Sequence, residues 1–223
     1  MPANEHITMQ IAKQVFDLDI AENALVFFPD KTPAYLTKRF DVLPSGQKIK
    51  AEDFAQLAGI EDKYEFSYQK MAEVLRNVVG EQNYLENAEK LFKAIVFNYL
   101  MCNGDAHVKN FSVLYPLTDP PKLAPFYDLL NTRLHLPTDS FMALDLFDDG
   151  GAIDFFEFGL KIGLDSEIVD VFLKGIQSKV DKICELLDHS DLSSDAIAKY
   201  KYYVLERAKM LKRNAYAEIG VNR

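Results

Sequence analysis

Apolar residues in the first half of the chain recur at helical spacing, interrupted by two short stretches where they cluster. Ile7, Ile11, Ala12, Val15 and Phe16 predict an amphipathic opening helix, with Asn4 as its N-cap. Ala24 to Phe28 and Ala34 to Phe40 then flank the turn residues Pro29-Asp30-Lys31-Thr32-Pro33, which predicts a β-hairpin. The polar stretch Leu43-Pro44-Ser45-Gly46-Gln47-Lys48 marks a boundary. Helical periodicity resumes in a short helix at Asp53 to Leu57. A second helix runs from Ser67 to Val79, with Met71, Val74 and Val78 on one side. A long third helix from Asn83 to Cys102 turns Ala88, Leu91, Ala94, Ile95 and Tyr99 inward.

After residue 103 the helical period stops. Phe111 to Tyr115 and Leu123 to Tyr127 flank Thr118-Asp119-Pro120-Pro121, a second hairpin signal. Met142 to Phe147, followed by Asp148-Asp149-Gly150-Gly151 and Ala152-Ile153, predicts a third, weaker one. Helices return at Phe155 to Leu164, Glu167 to Leu187 and Ser194 to Tyr216, the last capped by Ser194 and complemented by Asp195. The pattern is α+β and mainly α. Residues 1–42 form a small unit and 43–223 a helical body, packed as one compact whole.

Composition narrows the function. The 223 residues are 48% hydrophobic and 26% charged, an ordinary globular balance that excludes disorder as the main state. A net charge of −9 argues against broad adhesion to nucleic acid or an anionic membrane. Two cysteines, Cys102 and Cys184, give no disulfide framework and no zinc spacing, the usage of a reduced, cytoplasmic protein. The N-terminus lacks the apolar core of a signal peptide. The longest apolar run, Ala94 to Cys102, is too short to span a bilayer. The basic residues Lys199, Lys201, Arg207, Lys209, Lys212 and Arg213 read as a solvated helix face.

The chemistry concentrates in Asn103-Gly104-Asp105-Ala106-His107-Val108-Lys109-Asn110. An Asp followed five positions later by an Asn is the spacing of a phosphotransferase loop. There the Asp accepts the proton of the attacking hydroxyl and the Asn oxygen holds magnesium. A second carboxylate is required after a following strand, and Asp128 stands there. Asp119 lies midway between Asn110 and Asp128, so a hairpin centred on the Asp-Pro-Pro turn brings the two together at its open end. Each residue alone has a blander reading as a turn former or cap. The three together, around one hairpin, favour a magnesium site.

These blocks, Asn103 to Ser112 and Leu123-Ala124-Pro125-Phe126-Tyr127-Asp128-Leu129-Leu130, resemble the signature of the HipA-like serine/threonine kinases, toxins of bacterial toxin–antitoxin systems. Asn4-Glu5, Thr37-Lys38-Arg39-Phe40-Asp41 and Asp154 to Gly159 are similar to further family segments, so the resemblance spans the chain. It implies a protein-kinase-like helical C-lobe with a hairpin carrying the metal site, preceded by a remnant of the small N-lobe. It implies ATP and magnesium as cofactors. Asp105 would be the catalytic base, and Asn110 and Asp128 the metal ligands. Lys38, Phe40 and Asp41 would form the nucleotide hinge, and His107 and Tyr127 would line the nucleotide site. Glu5 would be the helix carboxylate that pairs the ATP-binding lysine. An aminoacyl-tRNA synthetase as protein substrate and a helix-turn-helix antitoxin as partner follow from the same resemblance.

The family's ATP-binding lysine and phosphate-covering loop would precede the first helix. Only Gly46, Gly59 and Gly80 lie before residue 100, so nothing early in the chain forms a Gly-rich phosphate cradle. Three accounts stay open: a fragment of a longer kinase, a split kinase whose N-lobe is a separate polypeptide, or a pseudokinase acting as a binding module. A small-molecule phosphotransferase of the aminoglycoside or choline kinase type shares the Gly-Asp loop. It usually has His where this chain has Asn103, and an acidic motif where Leu129-Leu130 follow Asp128.

Overall fold

A computed structural model describes residues 1–138 and 140–217, with side chains through Leu211. The side chains of Lys212 and Arg213 lie outside the described residues. Helix α1 (Pro2–Phe16) leads into the strands β1 (Asn23–Phe27) and β2 (Pro33–Thr37). These pair antiparallel, with Leu25 opposite Tyr35, as the apolar clusters predict. This two-stranded ribbon carries Phe27, Phe28 and Leu36 more than half exposed.

Asn4 is not a cap. The helix starts two residues earlier, with proline in its first turn where the missing N–H costs nothing. Asn4 sits one turn in, 1% exposed, and its amide donates to Asn131 O at 2.8 Å while its Oδ1 accepts from Asn131 N at 3.0 Å. A side chain that matches both backbone groups of a distant residue gains more there than at a helix end.

The segment 43–48 closes on itself through a Val42–Lys48 bridge. Strand β3 (Lys50–Asp53) follows, where the sequence shows only the helix start at Asp53. Its alternation is masked because Lys50, Glu52 and Asp53 are all charged. It pairs with β4 (Ser112–Tyr115), which pairs with β5 (Lys122–Leu123), giving a three-stranded antiparallel sheet in the order β3-β4-β5. Asp53 caps α2 (Phe54–Ala58) with a reciprocal Gln56 contact.

Helix α3 (Tyr68–Val79) is capped by Ser67 and buries Tyr68, Met71, Ala72, Leu75 and Val79. Its inward face is therefore rotated from the expected one, leaving Val74 and Val78 on the margin of the core. Helix α4 (Glu81–Leu100) is the central element. Its last two turns are buried on all sides: Phe92, Ala94, Ile95, Val96, Phe97 and Leu100 have no exposed area.

The third hairpin does not form. Residues 141–154 contain no strand, and Ser67 and Asp145 pair instead, with Tyr68 N donating to Asp145 O at 3.0 Å. Gly150 and Gly151 both take positive φ and Phe155 starts the next helix, so the would-be return arm is too short to compete. Helices α5 (Phe155–Lys161), α6 (Ser166–Asp188) and α7 (Ser194–Ala217) complete the body. α5 ends sooner than its periodicity suggests. α7 is capped by Ser193, whose Oγ accepts from Ala196 N, and not by Ser194. Cys102 is buried and Cys184 partly buried, and no disulfide joins them. No helix among the described residues is long and apolar enough to cross a membrane.

Gly159 marks the tightest joint, between α5 and α6. A Cβ there would stand 2.5 Å from a methyl of Val169 and 3.3 Å from the Phe92 ring. Val169 is fully buried and β-branched, so it has no alternative rotamer to yield into. Gly159→Ala is expected to destabilise by about 1–3 kcal/mol despite its better helix propensity, lowering the Tm by several degrees in a calorimetric scan.

Candidate active site

The chain leaves α4 through a turn at Met101 and Cys102, the latter at φ 57°, and enters the loop that the sequence singles out. This loop is largely buried, so its backbone groups need partners beyond its local turn bonds and a short 3-10 turn at Val108–Asn110. Side chains from several elements provide them. Asn98 hands the α4 end to the loop, its Oδ1 accepting from Asn103 Nδ2 at 2.8 Å. Asn103 also donates to Asp128 O at 3.2 Å, and its Oδ1 accepts from Asp105 N at 3.3 Å. Thr132 Oγ1 accepts from Gly104 N and donates to Cys102 O, at 2.9 and 3.0 Å. Tyr68 donates to Ala106 O at 2.8 Å from α3.

The second hairpin then delivers Asp128. Its ladder is short, with Val113 opposite Leu123, but its open end is held by a second pairing. Phe126 N and O bond Asp19 O and Ala21 N, both at 2.8 Å, tying the hairpin to the strand-like link after α1. Asn110 and Asp128 meet there as the spacing predicts: the Asn110 amide donates directly to Asp128 Oδ2. Asn110 Oδ1 is engaged by His107 N at 3.1 Å. Asp128 itself takes φ 57°, a left-handed conformation tolerated by Asp at some cost in strain.

Asp105, Asp128 and Gly104 line one cavity of about 540 Å³, together with Tyr64, Leu130 and Thr132. The rim of Asp128 is open to solvent, but protein surrounds it on most sides. That burial, and then the charge of Asp105, pushes its carboxyl above the usual range. His107 is buried beside Asp105, with Nε2 at 3.8 Å, and its burial lowers its pKa, keeping the ring neutral. Asp105 Oδ1 accepts from the Tyr64 hydroxyl at 2.6 Å and lies 3.4 Å from Lys63 Nζ. Neither Tyr64 nor Lys63 carries a sequence signal for this role. Both come from the 60–66 loop, whose pattern shows only a connector.

The other predicted residues divide. Phe40 stacks on Tyr127 with ring centroids 5.4 Å apart. Tyr127 donates to Lys109 O at 2.9 Å and contacts Ser112 Oγ at 2.7 Å, so it also braces the loop. Lys38 and Asp41 lie outside this cluster. Lys38 pairs with Glu22 at 2.8 Å, and Asp41 is gripped by Arg39, whose Nε donates to it at 2.9 Å. Lys38 and Phe40 border a separate cavity of about 310 Å³ with Asp19 to Glu22 and Pro125.

Asn110 and Asp128 offer adjacent oxygen donors, once the Asn110 amide is turned, in a place where negative charge is under-compensated. That donor set fits magnesium, which takes one or two protein oxygens and completes its shell with phosphate and water. Glu5 adds to the same imbalance. It projects from α1 with no ion-pair partner among the described residues. Burial first, and then the charge of Asp128, push its carboxyl up to about 7, with the N-terminal amine opposing.

Comparison with known proteins gives the family and the fold. Residues 1–205 match the HipA-like C-terminal domain. A Haemophilus influenzae protein named "Putative kinase" is 30% identical over 198 residues, 74% of this chain and 57% of its own length. A Sinorhizobium fredii protein, "Putative kinase Y4dM", is 32% identical over 65% of this chain and 37% of its own. The chain thus spans about half the length of the curated relatives it matches. Among solved structures, the Shewanella oneidensis HipA in complex with HipB and operator DNA aligns over 95% of this chain and 57% of its own. The TM-score is 0.77 at 22% identity. The Helicobacter pylori proinflammatory kinase CtkA aligns over 99% of this chain and 85% of its own, with a TM-score of 0.66 at 16% identity. Both likenesses confirm a kinase-like α+β fold.

Glu5 sets a pH dependence. The folded state holds a proton up to about pH 7 that the unfolded chain, at the ordinary value of 4.5, releases earlier. The folded state therefore binds more protons between those values, and stability is lost as pH rises through that window. After discounting for partial exposure, Glu5→Gln should remove a loss of about 1 kcal/mol. Urea unfolding of both proteins at pH 5 and pH 8 measures it, and equal pH slopes would contradict it.

Proposed function

Because the chain belongs to the family of HipA-like C-terminal domains, we propose that it is the catalytic side of a serine/threonine kinase. The reaction is transfer of the γ-phosphoryl group of ATP to a protein hydroxyl. One observation carries this reading: Asn110 and Asp128 are hydrogen-bonded to each other at the open end of the β4–β5 hairpin, and Asp105 faces the same cavity as Asp128.

In this reading Asp105 accepts the proton of the attacking hydroxyl. Its acceptor capacity is already in use for a hydroxyl at 2.6 Å, so the position is competent for that contact. Asn110 and Asp128 hold the magnesium ion, which when bound offsets charge on the phosphate oxygens. His107, its basicity lowered by burial, lies beside Asp105 with Nε2 at 3.8 Å. Tyr127 and Phe40 form a stacked aromatic wall that would border the adenine, and the backbone of Lys38 to Asp41 would meet its edge. Lys38, engaged with Glu22 at the surface, is unsuited to the phosphate role.

Glu5 is the point where the site calls for something more. A partly buried carboxylate beside Asp128 is stabilised by a cation, and the family's phosphate-binding lysine is the residue that would supply it. We assign that lysine, and the phosphate-covering loop, to a further lobe docked on the β1–β2 ribbon, whose Phe27, Phe28 and Leu36 stand exposed. The lobe belongs to a longer chain or to a separate polypeptide. By the family resemblance, the protein works in the cytoplasm, an aminoacyl-tRNA synthetase is the substrate class, and a helix-turn-helix antitoxin is the partner. The HipA neighbour is itself in complex with HipB and DNA. The partnerless Glu5 is also what a binding module without catalysis would show, which makes nucleotide binding the deciding measurement.

Calorimetric titration with Mg-ATP should give binding that weakens at least about tenfold in Asp128→Asn, a difference of about 1.4 kcal/mol. Asn tolerates the left-handed backbone and removes an under-compensated charge, so the variant should unfold no earlier than the parent. Binding that appears only after adding the polypeptide encoded beside this chain would place the missing lobe there. No binding in either case would overturn the kinase reading.

A further inference from the structure

The contact on Asp105 is unusual for a connecting loop. Tyr64 is about half exposed, with 48% of its surface accessible, and yet its hydroxyl is directed inward to Asp105 Oδ1 at 2.6 Å. The backbone presents it deliberately. Asp62 Oδ1 accepts from Tyr64 N at 2.9 Å, an Asx turn that fixes the loop just before the ring. The ring stands edge-on to His107 at 5.6 Å, and Lys63 Nζ lies over its face at 4.7 Å while also reaching Asp105. Tyr64, Asp105 and Asp128 all border the same 540 Å³ cavity. A hydroxyl donating to the catalytic carboxylate, beside the metal-binding carboxylate, is in the relation that a phosphoryl acceptor needs.

We propose that Tyr64 is the chain's own phosphoryl acceptor, modified in cis at the site formed by Asp105, Asn110 and Asp128. The inference rests on the phosphotransfer reading above. The phenolic oxygen forms a bond to the γ-phosphorus as the bond from that phosphorus to the β,γ-bridging oxygen breaks. The electron pair of the broken bond leaves with ADP. The phenolic proton passes to Asp105, which returns it to solvent. Lys63, beside both the phenol ring and the carboxylate, offsets the charge brought in by the phosphoryl group. The hydrogen bond from Tyr64 to Asp105 also raises the phenol pKa, in keeping with a proton held until transfer.

The test has an arm without nucleotide and an arm with it. In the first, ultraviolet titration of the full chain minus Tyr64→Phe isolates one phenol among eleven tyrosines. It should titrate above the ordinary tyrosine range and fall back toward it when Asp105→Asn is the background. A Tyr64 titration indifferent to Asp105→Asn overturns the proposal. In the second, phosphatase-treated chain is incubated with Mg-ATP and mapped by mass spectrometry, with Mg-ATP binding measured in parallel. Expected is phosphate on Tyr64, formed at a rate independent of protein concentration and lost in Tyr64→Phe and Asp105→Asn. Mg-ATP binding without phosphate on Tyr64, or transfer to Ser140 or another residue at an unchanged rate in Tyr64→Phe, overturns the proposal alone. Absence of both binding and transfer overturns the phosphotransfer reading and the proposal with it.

Discussion

The structure depends on satisfying the backbone of one buried, irregular loop. Residues 101–110 leave the buried end of α4, and beyond a few local turn bonds and a short 3-10 turn at Val108–Asn110 their N–H and C=O groups have no helix or sheet ladder to join. Each unpaired group would cost about 1–3 kcal/mol in the interior. The side chains of Asn103, Thr132, Tyr68 and Tyr127 pair several of the rest, and Asn98 holds the Asn103 amide in place. The Asp105 carboxylate is met by Tyr64 and Lys63, and the Asn110 side chain by His107 N and Asp128. One set of side chains thus allows the loop to be buried, and a second set, from the 60–66 loop, meets its carboxylate.

The second theme is charge. Glu5, Asp105 and Asp128 come from three distant parts of the sequence and influence one another electrostatically, with little positive charge beside them. Lys63 is the described lysine that reaches Asp105, at 3.4 Å. Such an arrangement costs folding energy, because each carboxylate raises the cost of ionising its neighbour. The opposite solution appears at Arg207, only 2% exposed, whose guanidinium lies 4.4 Å from the Tyr99 ring centre and 4.0 Å from that of Phe141. There a lone basic group from the supposed solvated face of α7 is accommodated by aromatic faces, pinning the loop after Asp128 to the helical body. Lys199, Lys201 and Lys209 behave as surface residues, each with an acidic neighbour.

What the sequence discloses and what it hides follow from the range of each interaction. The meeting of Asn110 with Asp128 is legible because both flank one hairpin at equal distances from its Asp-Pro-Pro turn. The long helices are legible because their apolar period runs for several turns. Tyr64 is not, since its partner lies 41 residues away and its own surroundings show only a polar connector. Asn98 reads as a flaw in an apolar run, although it starts the relay that orders the loop. Asn4 reads as a cap because Asn is a good one, yet its partner Asn131 lies 127 residues on. The third hairpin fails for a similar reason: Met142 to Phe147 found a better backbone partner at the start of α3 than in the two residues after Gly151.

The Asn4–Asn131 pair gives α1 a mechanical role. At its start the helix is bonded to a residue three positions after Asp128, and along its length it packs against both strands of the β1–β2 ribbon. A helix of 15 residues is a stiff rod of about 22 Å. Torque applied to the ribbon by anything resting on it would be delivered, with little loss in bending, to the turn that holds Asp128. That turn already sits at a strained left-handed angle, so small rotations change its energy steeply. The rod thus couples the attitude of the ribbon to the turn at Asp128, so that a tilt at one end of the molecule is felt as geometry at the other.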